Sequence, residues 1–484
     1  MWGKGLKKAT LLIAGLLLVV LASTEYYRAW HISMTHDESY SFTRYVMHPY
    51  LNIIFYVDII ILPNNHVLNT IGMKLFSWLF GIHPFVLRLT NLIAFTGLCY
   101  SAFNWAKKQA GYLLILPCLA ILLLNPYQLD FFILARGYGL GMCLMLIGMF
   151  NADLLWRKDD RKPEDYYPAL IFAALAVWAN FSFLNFYLAF IAVIELMIWQ
   201  DNRNRQTIKN FLNLQVQKPV IIVSLALFGL IIRPLIKILM AHQLYGGMDG
   251  FWVDTATSLI TLTTYERPLP EVIAILKIVV VLVIATAVLL AFIQLITGGT
   301  KKAGPLLSAL MFLILPAWIF LAQHQLLHSE FPEGRTGVYF IPLFLFLVVR
   351  LIMALPRLFL LPAYGMAFCC LLNVVASTKM NYVLEWKYDM HTKDAMLLIK
   401  NGINETRTGS GNIDLGSNPL FEPSINFYRI YYKMDCIKEL DRDGFVKGVN
   451  YKYVYTLNDD REHTSNTTPI HEFTETNTVL LVRN

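Results

Sequence analysis

The chain has 484 residues, of which 56% are hydrophobic and 15% charged, and its mean hydropathy is +0.51. Soluble chains average roughly a quarter charged residues, so this composition excludes an ordinary water-soluble domain. Repeated apolar runs of about 18 or more residues read as membrane-crossing helices. The short alternating segments of a membrane β-barrel are absent from the first three-quarters of the chain.

The net charge of +7 comes from small Lys/Arg clusters between apolar runs. Membrane topology produces that pattern, and no nucleic-acid partner is expected from it. Of the six cysteines, Cys99, Cys118, Cys143, Cys369 and Cys370 lie in apolar stretches, where cysteine behaves as a small hydrophobe. Cys436 stands alone, so neither a disulfide framework nor a cysteine metal site is expected.

In chain order, "MWGKGLKKATLLIAGLLLVVLAS" has the basic start and apolar core of a signal peptide. Its long apolar run and the many spans that follow favour an uncleaved first helix. Spans are predicted at roughly 8–24, 84–105, 111–126, 136–156, 166–180, 183–199, 218–240, 270–297, 303–323, 337–354 and 358–378, about eleven in all. With that count the basic clusters all fall on one side, which the positive-inside rule makes the cytoplasm. They are Lys4/Lys7/Lys8, Lys107/Lys108, Arg157/Lys158/Arg161/Lys162, Arg203/Arg205/Lys209, Lys301/Lys302 and Arg357. The segment 65–81, "NHVLNTIGMKLFSWLFG", is short and interspersed with polar residues. It is read as an amphipathic helix at the outer interface, since counting it as a span would put Lys107 and Lys108 outside.

After about residue 380 the composition turns polar. Strand-like "NIDLG", "YKYVYTL" and "TVLLVRN" and a helix over "PSINFYRIYYKM" predict a small α/β unit. The organisation expected is a transmembrane domain over 1–379 and an extracytoplasmic domain over 380–484.

Four polar clusters fall on the outer side. The first is "THDES", with Asp37 and Glu38 adjacent. On a helix their side chains diverge by about 100°, so they cannot face each other as a dyad, and one could act while the other caps or pairs. Helix-start chemistry alone also accounts for this stretch. The second is "ILPNNHVLNT", where Asn64, Asn65 and His66 open the interfacial helix. The third, "LNPYQLDFFILARGYGLG", carries Asp130, Arg136 and Tyr138; an arginine at a membrane boundary either snorkels to phospholipid or holds a lipid-borne phosphate. The fourth is "AQHQLLHSEFPEGRTGVYFIPLF", with His324, His328, Glu330, Glu333, Arg335 and Tyr339. The two histidines lack the intervening glutamate of a zincin helix, and no metal site is assigned. Convergence of all four clusters on one interface points to chemistry there.

These motifs, in this order and spacing, resemble the GT-C superfamily of polyprenyl-phosphate-dependent glycosyltransferases, the group of protein O-mannosyltransferases and lipid A aminoarabinose transferases. The resemblance rests on "HDESY", "NNHVLNTIGMKLFSWLFGIHPFVLRLTNLI", Asn125-Pro126 with "ARGYGLGMCLMLIGMF", and "GRTGVYFIPLF". The chain departs from the family pattern at Val67-Leu68, where paired prolines are usual, in "RLTN", which lacks one, and at Gly137, where proline is common.

The resemblance implies an α-helical polytopic fold with outer interfacial helices, and inverting transfer of a hexosyl or pentosyl group. The donor would be a polyprenyl-phosphate sugar, the acceptor a hydroxyl of a glycan, lipid or protein, and the place the outer face of a bacterial inner membrane. Asp37 would be the base, and Arg136 and Arg335 would hold the phosphate. Glu38, Asn65, His66 and Tyr138 would surround sugar or acceptor, with Asp130, Glu333 and Tyr339 completing the substrate-facing set. No cofactor is required; a divalent cation at Asp37 is compatible with the chemistry. The rival readings are a glycan ligase or polymerase using a diphosphate-linked donor, a lipid or solute transporter, and a scaffold presenting the C-terminal unit. For a transporter Glu195 and Lys277 would be the intramembrane candidates, but the halves show no internal symmetry.

Overall fold

A computed structural model describes residues 2–203, 214–241, 246–406, 413–446, 449–463 and 466–483. Arg205 and Lys209 of one expected basic connection, Asn412 of the first expected strand and Asn484 of the last lie outside the described residues.

The helices that carry the argument are α1 (Trp2–His31), α2 (His36–Ser41), α3 (Tyr50–Phe55), α4 (Val67–Phe80), α5 (Pro84–Gln109), α6 (Ile115–Leu123), α7 (Pro126–Phe132), α8 (Gly137–Leu155), α9 (Tyr167–Ala179) and α10 (Leu184–Arg203). They are followed by α11 (Leu214–Met240), α12 (Ser258–Thr263), α13 (Pro270–Leu327), α14 (Phe340–Ala354) and α15 (Leu360–Ser377). Among the described residues eight helices are long and apolar enough to cross a membrane, and the pair α6–α7, bent by 72°, makes a ninth if taken as one span. The bend falls at Asn125-Pro126. Asn125 caps α7 by accepting from the Gln128 N–H, and Pro126, with no N–H to lose, starts the helix.

The 58-residue α13 is two limbs, because Gly299 leaves helical geometry at φ 67°, ψ −174°. Val288, Ala291 and Leu295 on one limb and Leu307, Leu310 and Ile314 on the other line an apolar cavity of about 300 Å³. Dividing α13 there raises the count to ten, close to the eleven expected; the segment expected at 166–180 contains the 13-residue α9, which is shorter than a full crossing. This is a multi-pass helical membrane protein.

The basic connections 107–109, 157–162 and 301–302 meet at one end of the bundle. Arg157 donates to the Gln109 carbonyl at 3.0 Å, Arg161 pairs with Asp201, and Lys301 with Asp159.

Helix α4 has 14 residues, about 21 Å of rise against a hydrocarbon core of about 30 Å, so it does not span. Its polar side faces the protein. Asn69 donates to the Ala135 carbonyl at 2.7 Å and accepts from Asn91 at 2.7 Å, and Lys74 donates to the Val46 carbonyl at 2.7 Å. Trp78, Leu79 and Phe80 are exposed. An interfacial helix is expected to turn its apolar side to lipid in this way.

The C-terminal unit comprises α16 (Thr392–Thr406), β1 (Leu415–Ser417), α17 (Glu422–Tyr431), β2 (Tyr453–Leu457), β3 (Thr467–Phe473) and β4 (Thr478–Arg483). The sheet order is β1-β2-β4-β3, with β1 parallel to β2 and the other pairs antiparallel. β2 alternates: Tyr453 and Tyr455 meet the helices, while Val454 packs on the other face with Val479 and Leu481. The expected strands and α17 are present; α16 and β3 were missed. β3 carries Pro469 beside a bulge, which an edge strand tolerates.

The unit's core does not stop at the sheet. Met396, Ile399, Ile425 and Phe427 share one apolar cluster with Phe42, Val46, Met73 and Leu87 of the membrane domain. The Tyr428 hydroxyl accepts from the Met34 N–H at 2.8 Å and meets Ser33 Oγ at 3.1 Å. These bonds fix the segment leading into α2. Tyr428→Phe leaves a buried N–H unpaired and should cost about 1–3 kcal/mol of stability. Thermal unfolding in detergent checks it; an unchanged midpoint would show that the anchor does not contribute.

Candidate active site

Helix α2 begins because Thr35 and Glu38 form a capping box. Thr35 Oγ1 faces the Glu38 N–H, and Glu38 Oε2 accepts from the Thr35 N–H at 3.0 Å. That start sends the two neighbouring carboxylates in different directions.

Glu38 points inward and is wholly buried. Arg88 of α5 grips it through Nε at 2.9 Å and Nη2 at 2.7 Å, and the Ala135 N–H adds a bond at 2.6 Å. Arg88 also donates to the Ala29, Ile32 and Ser33 carbonyls, so the pair staples α1, α2, α5 and the approach to α8. Glu38 was expected around the sugar or acceptor. Its oxygens are instead taken up within the wall, and Burial and the positive charge of Arg88 oppose each other on its carboxyl, with Arg88 prevailing to hold it below the usual range.

Asp37 points the other way, toward Arg136 and Arg335. Its Oδ2 lies 3.3 Å from Arg136 Nη2 and 3.5 Å from Arg335 Nη2. The residue is buried, yet among the described residues its Oδ2 accepts no hydrogen bond. Burial works to raise its pKa, but the two guanidinium charges outweigh it and hold the carboxyl below the ordinary aspartate range. The group is therefore a carboxylate at neutral pH whose Oδ2 accepts no hydrogen bond among the described residues, the ionisation state a general base needs.

Arg136, 1% exposed, precedes α8 in an extended conformation. It donates to Ser41 Oγ at 3.0 Å, to the Asp37 and Asn64 carbonyls at 3.2 and 3.3 Å, and to the Asn64 side chain. Its Nε has no partner among the described residues. Arg335, in the single turn 334–337, has a side chain 39% exposed and bridges Asp37 and Glu385, the latter at 3.4 Å. Trp386 lies beneath it at 5.2 Å. Arg335 is the accessible cation and Arg136 the built-in one.

His66 and Tyr138 complete the cluster, with rings 4.9 Å apart and edge-on; Arg136 stands over Tyr138 at 5.9 Å. Burial first, then the two arginines, push the His66 imidazole far below its usual pKa, so it is neutral, and its Nε2 is unpaired among the described residues. Gly137 is required for this packing. A Cβ there would lie 2.1 Å from the Ala179 carbonyl oxygen and 2.7 Å from His66 Cβ, which explains why a side chain is excluded at the position where the family pattern carries proline.

Four other expected residues stand apart. Asn65 donates to the Ile53 carbonyl at 3.2 Å and accepts from Thr70 at 3.0 Å, bracing its own loop; its neighbour Asn64 meets Arg136 instead. Asp130 belongs to a separate buried network, pairing with Arg28 and accepting from the Tyr265 hydroxyl at 2.8 Å and the Leu384 N–H at 2.9 Å. Glu333 is exposed and caps the 334–337 turn with Thr336. Tyr339 is fully buried against Phe183 and Phe340, with its hydroxyl unpaired among the described residues. The structure thus brings Asp37, His66, Arg136, Tyr138 and Arg335 together and leaves Glu38, Asn65, Asp130, Glu333 and Tyr339 in supporting positions.

Residues not singled out from sequence are Arg88, Asn64's contact with Arg136, Glu385, Trp386 and Asp389. Asp389 accepts from the His36 N–H, a second cap on α2, and from Thr392 Oγ1 at 3.2 Å. The His36 ring donates through Nδ1 to the Leu420 carbonyl at 2.7 Å and accepts from Arg442 at 3.0 Å. The C-terminal unit therefore holds the N-terminus of the helix that carries Asp37. Among the described residues no group of three or more His, Cys, Asp or Glu stands close enough to hold a metal ion. A cation on Asp37 would have to displace two guanidinium groups.

No protein-family model and no curated protein matches the chain. Among solved structures it is similar to the crystal structure of ArnT from Cupriavidus metallidurans bound to undecaprenyl phosphate, with a TM-score of 0.53 and 11% identity, over 96% of this chain and 97% of that one. The same protein in the apo state matches with a TM-score of 0.52, 11% identity and the same coverage of both chains. At this identity it is the fold that is shared, from first helix to C-terminal sheet. The polytopic helical fold with a small C-terminal α/β unit, expected from the sequence, is borne out.

Two outcomes follow from the local electrostatics. Arg88→Met strands the buried Glu38 charge and should cost about 3–5 kcal/mol; the double variant Arg88→Met/Glu38→Gln should recover part of that loss in thermal unfolding. Additive losses would mean that the pair is not coupled. Burial raises Asp389 to about 8, whereas an unfolded aspartate titrates near pH 4 (roughly). The folded state thus holds the proton more tightly, and this stability is complete below about pH 4 and lost as pH rises through about 8. Asp389→Asn should flatten the stability profile over that interval; an unchanged slope would assign the pH dependence elsewhere.

Proposed function

We propose that the protein is an inverting glycosyltransferase that moves a hexose or pentose from a polyprenyl-phosphate donor to a hydroxyl of a glycan, lipid or protein. The observation that carries this reading is Asp37 Oδ2, buried and ion-paired between Arg136 and Arg335 but accepting no hydrogen bond among the described residues. ArnT, whose fold it shares, binds undecaprenyl phosphate, and two guanidinium groups beside a carboxylate suit a lipid phosphate and an incoming alcohol.

In this reading the donor phosphate takes the free donors of Arg335 and the Nε of Arg136. The acceptor O–H gives its proton to Asp37 Oδ2. The oxygen's electron pair attacks the anomeric carbon from the face opposite the phosphate. The carbon–oxygen bond to phosphate breaks, its electrons leave on the phosphate, and the anomeric configuration inverts. Phosphate needs no protein acid to depart, so one carboxylate suffices where a glycosidase uses two. His66, neutral, and Tyr138 line the sugar or acceptor side. Both arginines stabilise the charge that develops on the leaving group, so no metal is required.

The active face is assigned to the extracytoplasmic side and the N-terminus to the cytoplasm of a bacterial inner membrane. Support comes from the basic connections 107–109, 157–162 and 301, which interlock at one end.

Removing the base should lower turnover about 10²–10⁴-fold. Asp37→Asn, assayed for transfer from a lipid-linked sugar, should show that loss while donor binding is retained or tightened, because a negative charge is removed. Wild-type kcat/KM should show no acid limb from Asp37 above about pH 4, since its pKa is lowered. Arg136→Ala and Arg335→Ala should weaken donor binding. Full activity in Asp37→Asn would refute the assigned base.

A further inference from the structure

We propose that Glu385 is a positioning residue whose charge keeps Arg335 from retaining the phosphate product; this rests on the lipid-phosphate transfer reading above. Glu385 lies in the 384–389 turn that joins α15 to the C-terminal unit. Its Oε1 accepts from the Tyr127 hydroxyl and its Oε2 from Arg335 Nη1 at 3.4 Å. Both oxygens act as acceptors, as an ionised carboxylate does. Its side chain is 18% exposed and no other cation pairs with it among the described residues.

Arg335 is therefore shared: one nitrogen faces Asp37, the other Glu385, and its flat group lies over Trp386. Among Asp37, Glu385, Arg136 and Arg335 the empty site is neutral. A donor phosphodiester brings one negative charge. Transfer moves the acceptor proton to Asp37 and leaves a phosphate monoester of about −1.5 to −2, so the total stays near −1. When Asp37 releases that proton the total approaches −2, with Glu385 beside the cation that holds the product. Like-charge repulsion then favours dissociation and resets Arg335 between its two carboxylates. Without the Glu385 charge the product would remain in a site one unit less negative.

The test is binding of undecaprenyl phosphate to the purified full-length protein, alongside steady-state transfer. Glu385→Gln is isosteric and keeps an acceptor for Tyr127. It should bind undecaprenyl phosphate on the order of tenfold more tightly, with kcat and the KM for donor both lowered and product inhibition strengthened. Glu385→Ala should shift affinity the same way, and Glu385→Asp, which keeps the charge, should stay near wild type. Unchanged or weaker affinity in both neutral variants, or a loss of kcat with unchanged KM, would overturn the inference while leaving the transfer reading intact. A wild-type protein that binds no undecaprenyl phosphate would overturn both.

Discussion

Everything at the site depends on where α2 starts. The capping box at Thr35 and Glu38 sets the helix phase, and one residue of rotation separates a buried, fully hydrogen-bonded glutamate from an aspartate whose Oδ2 meets two guanidinium groups without a hydrogen bond among the described residues. Neither carboxylate could exchange roles with the other. Glu38 meets a guanidinium that has no other charge to serve among the described residues, and together with the carbonyls of Ala29, Ile32 and Ser33 they form a closed polar unit inside apolar packing. Such a unit adds little net stability over apolar residues, but it makes other placements of α2 expensive. Asp37 inherits a fixed position from that rigidity.

The second constraint is the C-terminal unit. Its apolar core is continuous with residues of the membrane domain, and Asp389, Leu420, Tyr428 and Arg442 all touch the segment 33–36. The C-terminal unit therefore backs the helix that carries Asp37, and the link 384–389 contributes Glu385 and Trp386 to Arg335. Membrane helices and soluble-looking unit jointly make one site, where composition divides them near residue 380.

The fold was legible because its signals are periodic and repeated: long apolar runs, basic clusters on alternate connections, and strand-length alternation near the C-terminus. The divergence of Asp37 and Glu38 was also legible, since helix geometry alone forbids a facing pair. What could not be read was which loop residues face inward. Asn64 and Asn65 differ by one position in a turn that has no period, and only the backbone decided between them. Asp130 looked equivalent to Arg136, six residues on, but the bend at Pro126 carries it to Arg28. Arg88 passed as an arginine at the edge of a span because its partner is distant in sequence. Glu385 lay within a stretch whose polar composition suggested solvent.

The central physical claim is that Arg136 and Arg335 converge on Asp37 in order to receive a phosphate. A structure determined with undecaprenyl phosphate bound tests it most directly. Phosphate oxygens should lie within about 2.7–2.9 Å of both guanidinium groups, with Arg335 drawn off Asp37 and the carboxylate oxygen facing the side from which an acceptor would come. A phosphate bound elsewhere, with Arg335 still closed on Asp37, would contradict it.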